Sequence, residues 1–258
     1  MTLLAKTMRY LLLSDIHANR PALEAVLHDA AGQYDGVWFL GDVVGYGPHP
    51  NECIELLIGL DCLGVAGNHD WAVLGRLNGE SFNADARQVL LWTRSVITPT
   101  NQHFLESLPT SIASGDYTLV HGSPRYPIWE YILHAAVATA NLDHFTTAHC
   151  LVGHTHSPAL YECSSSSSRS AGRRRHCREV LLRAVPQPHS LPDARVILNP
   201  GSVGQPRDGN PQASYAILDT QASTLHHRRV TYPVQEVQAA MLELDFPARL
   251  VHRLALGM

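Results

Sequence analysis

Five times within the first 156 residues a short apolar run stops abruptly at a cluster of Asp, Asn or His, and this recurrence restricts the chain to folds that gather several strand ends. Met8 and Tyr10 to Leu13 run into Ser14-Asp15-Ile16-His17; Gly36 to Leu40 runs into Gly41-Asp42. Cys62 to Ala66 precedes Gly67-Asn68-His69-Asp70, Tyr117 to Val120 precedes His121, and Leu151-Val152 precedes Gly153-His154-Thr155-His156. Asp15 and His17 are spaced i, i+2, as are His154 and His156. In an extended chain alternate side chains point the same way, so each pair is expected to leave one strand end side by side. Singly, Asp15, Asp42 and Asn68 read as ordinary capping or turn residues. Capping does not require a His two residues from an Asp, nor a His two residues from another His.

Between these runs the periodicity is helical. Asn19-Arg20-Pro21 is a turn with Pro at a helix start, and Ala22 to Ala31 carries apolar residues at helical spacing up to Gly32. The first forty residues thus predict strand, helix, strand, the unit of a parallel sheet, and ligands bind at the carboxyl ends of such strands. Further helices are expected over 51–60, 83–96, 101–108 and 234–244, and further strands over 195–198, 214–219 and 224–230. From Cys163 to Cys177 runs of Ser and Arg replace any hydrophobic period, which predicts a mobile surface loop over about 163–178. No repeat or linker divides the chain, so residues 1–258 are expected to form a single domain.

Composition removes several functional classes. The formal net charge of −4 argues against nucleic acid as a partner held by a broad basic surface. A small phosphoester stays open, because bound cations reverse the local sign. The apolar N-terminal run is too short for a membrane span or a signal core. Five cysteines without a C-x-x-C pair fit reduced thiols and a cytoplasmic location better than a disulfide framework. Sixteen histidines are the unusual count, and the strand-end positions absorb several of them.

Asp15, His17, Asp42, Asn68, His121, His154 and His156 offer only oxygen and nitrogen ligands, a set suited to divalent Mn, Fe or Zn. Seven ligands exceed one tetrahedral ion. A carboxylate can bridge two, and paired ions roughly 3.5–4 Å apart recur in phosphate-ester cleavage. The ordered blocks D-x-H, G-D-x-x-G, G-N-H-D, a lone His and G-H-x-H resemble the calcineurin-like metallophosphoesterases, and Asn199-Pro200-Gly201-Ser202 is similar to the small prokaryotic branch of that family. The resemblance implies a four-layer α/β/β/α sandwich and two divalent transition metal ions. It implies Asp15, His17 and His156 on one ion, Asn68, His121 and His154 on the other, and Asp42 bridging. It further implies that a metal-bridging hydroxide attacks phosphorus, that His69 faces the substrate, and that Asp70 orients His69.

Arg207, Arg125 and His49 are candidate substrate contacts: Arg207 follows the Gly201–Gly204 turn, Arg125 follows His121, and His49 lies in the Gly/Pro-rich loop after Asp42. The function expected is hydrolysis of a small phosphodiester or nucleotide-type phosphate. A phosphoprotein phosphatase, a dinucleoside polyphosphate hydrolase and a non-catalytic metal-binding scaffold are the alternatives. Trp38, Trp71, Trp92 and Trp129 show no stacking stripe and are expected to pack in the core or the site wall. No oligomeric state follows from the sequence.

Overall fold

The computed structural model describes residues 8–60, 62–168, 172–182 and 184–258. The chain begins with β1 (Arg9–Leu13), α1 (Arg20–Asp29) and β2 (Gly36–Phe39), with β1 and β2 parallel and Leu12 opposite Trp38. Asn19 starts α1 by accepting the Ala22 N–H at 3.2 Å, and Pro21 occupies the first turn, where no amide donor is needed. Next come α2 (Pro50–Ile58), β3 (Cys62–Gly64), α3 (Asn68–Val73), α4 (Ala84–Val96) and α5 (Pro99–Ser107). The middle of the chain contributes β4 (Ser111–Ser114), β5 (Tyr117–Val120), α6 (Ala135–Asn141), β6 (His149–Leu151), β7 (Ala159–Ser168) and β8 (Gly172–Val180). The last third adds β9 (His189–Ser190), β10 (Arg195–Asn199), β11 (Ala213–Asp219), β12 (Thr224–Val230), α7 (Val234–Glu243) and α8 (Ala248–Leu256).

The strands form two six-stranded sheets, ordered β3-β2-β1-β11-β12-β9 and β4-β5-β6-β10-β7-β8. Alternation along β1 decides the layering. Leu12 enters the core between the sheets with Trp38, Leu119, Leu151, Leu198 and Leu218, while Leu11 and Leu13 turn the other way onto α1, α4 and α7. On the far face of the second sheet, Val120, Cys150, Val152 and Ile197 pack against Ala138 and Leu142 at α6. Three apolar layers separate four layers of backbone, giving the α/β/β/α sandwich. Within it β1, β2 and β3 run parallel, as do β5, β6 and β10, so the loops after these strands carry the polar clusters.

The expected loop over 163–178 is corrected. Across its described residues it is the distal half of an antiparallel hairpin, β7 against β8, from Leu160↔Val180 to Ser168↔Gly172; residues 169–171 lie outside the described residues. Strand pairing uses only backbone groups, so a Ser/Arg run can join a ladder while showing no hydrophobic period. Cys163 and Cys177 face each other in register and are joined by a disulfide, which corrects the expectation of reduced thiols at these two positions. Cys53, Cys62 and Cys150 are free. No helix among the described residues is long and apolar enough to cross a membrane.

Candidate metal centre

Asp15 and His17 do not converge by strand alternation, because β1 ends at Leu13. Both lie beyond it in left-handed backbone, at φ 51° and 48°, and Asp42 (53°), Tyr46 (59°), His154 (67°) and His156 (58°) share that region. Non-glycine residues held there cost roughly 1–3 kcal/mol each and persist where surrounding contacts over-determine them. Here the contacts are backbone bonds between neighbouring loops. Asp15 N–H donates to Gly41 O (3.1 Å), His17 N–H to Asp42 O (3.0 Å), Gly153 N–H to His121 O (2.8 Å) and Gly204 N–H to Asp15 O (3.0 Å).

Asp70 holds the second loop. Its carboxylate accepts N–H bonds from Gly67 (2.8 Å), Asp42 (2.9 Å), Val43 (2.9 Å) and Val44 (3.2 Å). The expectation that Asp70 orients the His69 ring is therefore corrected: its oxygens are committed to backbone amides, and His69 Nδ1 is buried without a hydrogen-bond partner among the described residues. A glycine is required at 67, since a Cβ there would sit 2.1 Å from Asp42 Oδ1.

These loops bring all seven expected metal-ligand residues together, each almost completely shielded from solvent. The ligand atoms of Asp15, His17, Asp42 and His156 lie within 4.8 Å of one another, and so do those of Asp42, His121 and His154. Asp42 belongs to both groups. Its Oδ2 accepts no well-formed hydrogen bond among the described residues and stands 3.6 Å from His17 Nε2 and 3.3 Å from His121 Nε2. Asn68 Oδ1 is 3.1 Å from His121 Nε2, and Asp15 Oδ1 is 3.3 Å from His156 Nε2.

The outer ring nitrogens settle the tautomers. His17 Nδ1 donates to Val44 O (3.1 Å), His121 Nδ1 to Leu40 O (2.7 Å), His156 Nδ1 to Gln205 O (2.6 Å) and His154 Nε2 to Trp129 O (3.2 Å), since a carbonyl can only accept. Each inner nitrogen then presents a lone pair in the neutral ring. His17 and His156 face each other across 3.0 Å, and His121 and His154 across 3.1 Å. Lone pairs so close repel unless a cation or a proton lies among them, so the donor set fits divalent ions.

Charge in the metal-free chain follows the same geometry. Burial raises Asp42, but His121, His69 and His17 outweigh it and hold that carboxyl well below its usual range. Burial lowers His121, yet the adjacent Asp42 carboxylate overcomes this and lifts it to about 9. Burial pulls His154 down to about 3 and His69 down to about 4, and holds His17 and His156 well below the ordinary imidazole value. One proton held between Asp42 and His121 occupies the place a cation would take.

A cavity of about 100 Å³ opens onto Asp42, Asn68, His69, His154 and His156, and its wall includes Tyr46, Phe82, Trp129, Tyr131 and Arg207. His69 packs among Tyr46, His17 and Phe82, with ring centroids 4.4, 4.8 and 5.0 Å away. Tyr131 stacks on His154 at 3.8 Å. Arg207 reaches the cavity, donates to Gln205 Oε1 at 2.9 Å, and has a buried Nε with no partner among the described residues. Arg125 does not line the cavity; its guanidinium is bound to Glu130. His49 is also absent from the wall, lying at the start of α2 near Glu52, Arg20 and Glu24. Sequence reasoning missed Tyr46, Phe82 and Tyr131. Only Tyr46, set between Gly45 and Gly47, carried a local signal.

Residues 8–223 match the model of the calcineurin-like phosphoesterase superfamily domain. An uncharacterized protein of Methanocaldococcus jannaschii is 37% identical over 252 residues, covering 95% of this chain and 96% of its own length. The crystal structure of a metallophosphoesterase from Sphaerobacter thermophilus superposes with a TM-score of 0.84 at 44% identity, covering 98% of this chain and 100% of that one. A hypothetical protein from Pyrococcus horikoshii shares the fold at 18% identity, with a TM-score of 0.74 over 97% of this chain and 99% of its own.

Proposed function

The chain belongs to the calcineurin-like phosphoesterase superfamily and is a hydrolase of phosphoesters, and from that premise we propose that it is a two-ion enzyme acting on small phosphodiesters or nucleotide-type phosphates. Asp15, His17 and His156 would hold one divalent ion and Asn68, His121 and His154 the other, with Asp42 shared between the two groups. The observation that supports this most directly is Asp42 Oδ2, buried, without a well-formed hydrogen bond, and common to both donor groups. When bound, a pair of Mn, Fe or Zn ions supplies activated water and positive charge for in-line attack on phosphorus.

The remaining steps belong to the chain's own side chains. His69 lines the cavity with a buried ring that is neutral at pH 7, because burial pulls it down to about 4. It therefore acts as a hydrogen-bond donor to a phosphoryl or leaving-group oxygen more readily than as an imidazolium acid. Arg207 offers a phosphate oxygen its Nε, which has no partner among the described residues. Asp70 is a positioning residue that fixes the backbone from which Asp42 and His69 project. Tyr46, Phe82, Trp129 and Tyr131 keep bulk water from the small cavity. We assign this activity to the chain as one domain.

Parallel assays with bis(p-nitrophenyl) phosphate, p-nitrophenyl phosphate and a phosphopeptide test the substrate class. The diester is expected to turn over best; preference for the phosphopeptide would move the function to phosphoprotein dephosphorylation. His69→Ala is expected to retain metal and lose about 10²–10⁴ in rate. A metal-loaded protein inert towards all three esters would leave a binding scaffold.

A further inference from the structure

At about 100 Å³ the site cavity accommodates a phosphoryl group and little else, since pockets that enclose whole organic ligands measure roughly 300–1,000 Å³. The organic part of the substrate must lie beyond the cavity wall. One wall residue leads to such a place. Trp129 lines the cavity on one side and, on the other, an open groove of about 560 Å³ formed with Trp71, Tyr126, Pro127, Ile128 and Thr110. The same residue links the groove to the candidate metal centre, because its carbonyl accepts the His154 ring N–H at 3.2 Å.

The groove is built by a tight turn. Trp129 and Glu130 N–H both donate to Tyr126 O, at 3.2 and 3.3 Å, and Gly122 N–H donates to Pro127 O at 2.6 Å. Glu130, at its edge, is already neutralised: its carboxylate accepts from Ser123 Oγ (2.8 Å), Asn141 Nδ2 (2.8 Å) and the Arg125 guanidinium. No unpaired carboxylate on the wall therefore repels a phosphorylated ligand. What the groove presents is aromatic surface left to water, with Tyr126 60% and Trp129 37% exposed. Exposed rings grouped in one concave patch mark binding surface, and indole and phenol faces suit a flat ring better than a flexible chain.

We propose that this groove is the base subsite of the active site, taking the planar heteroaromatic ring of a nucleotide-type substrate whose phosphate sits at the metal centre. The inference rests on the phosphoesterase function proposed above and narrows it. Neither Trp71 nor Trp129 is then mere packing: the pair flanks the ring that selects the substrate.

Competitive inhibition of methyl p-nitrophenyl phosphate hydrolysis tests it, using adenosine 5′-monophosphate, ribose 5-phosphate and hexyl phosphate. The first two differ only by the base, so adenosine 5′-monophosphate is expected to bind about tenfold tighter, the scale of one base stacked on an aromatic side chain. Tyr126→Ala, at an exposed ring, and Trp71→Leu are both expected to shrink that ratio towards one. Equal inhibition by the two sugar phosphates, or hexyl phosphate matching adenosine 5′-monophosphate, overturns the base subsite while leaving phosphoester hydrolysis intact. Absence of any hydrolysis overturns the function instead. The groove is then decided by adenosine alone: saturable quenching of tryptophan fluorescence supports it, and no quenching overturns it.

Discussion

The metal-centre end of the sandwich and the β7–β8 hairpin obey opposite rules. At the candidate metal centre the loops between 14 and 17, 41 and 46, and 153 and 156 repeatedly adopt left-handed backbone, and the outer ring nitrogens of His17, His121 and His156 are each held by a carbonyl. The hairpin is regular extended chain, pinned at Leu160↔Val180 and Cys163↔Cys177. Chemistry dictates residue identity in the first region, whereas backbone pairing and one disulfide sustain the second. Substitutions should therefore propagate at the metal centre and stay local in the hairpin.

The sharpest contrast comes from Asp70→Ala, which removes the shared acceptor of four buried N–H groups. It should cost about 2–5 kcal/mol in denaturant unfolding and weaken metal binding about 10–100-fold, although Asp70 touches no metal ligand's ring. A stable, fully metal-loaded Asp70→Ala protein would remove the distinction between the two regions.

A smaller effect is expected from pH. With His121 lifted to about 9 by Asp42, the metal-free site carries a proton there below that value, and an ion must displace it. Metal affinity should fall about tenfold between pH 9 and pH 8, with one proton released on binding. Calorimetry in buffers of different ionisation enthalpy counts that proton. Affinity independent of pH over this range would contradict the shared-proton arrangement.

The smallest effect belongs to the hairpin. Cys177→Ser opens a disulfide spanning 14 residues, which should lower stability by at most about 3 kcal/mol and leave metal content and turnover unchanged. Lost turnover would tie the hairpin to the metal centre after all.

The same contrast explains what could be read from the sequence. That Asp15, His17, Asp42, Asn68, His121, His154 and His156 come together was legible because they follow five strand ends that the fold gathers. The parallel units β1–α1–β2 and the helices α2, α4, α5 and α7 were legible from hydrophobic period. Asp70 was found, but its role was misassigned, because a carboxylate next to a His gives no sign that it turns back to cap amides at 42–44. The hairpin was missed because its Ser/Arg run shows no hydrophobic period in the sequence. Arg125 and His49 lay near the right motifs in sequence, yet Glu130 and the start of α2 hold them elsewhere. Phe82 and Tyr131 reach the cavity through tertiary packing, which no local pattern encodes.

Asp42 is the atom-level hinge of the account, so metal content and turnover measured together on wild type and Asp42→Asn test it most directly. Manganese-loaded wild type should carry two ions per chain and hydrolyse bis(p-nitrophenyl) phosphate, while Asp42→Asn should lose at least one ion and at least about a hundredfold in turnover. Full metal and full turnover in Asp42→Asn, or undiminished turnover by chelator-treated wild type, would contradict a bridged two-ion centre.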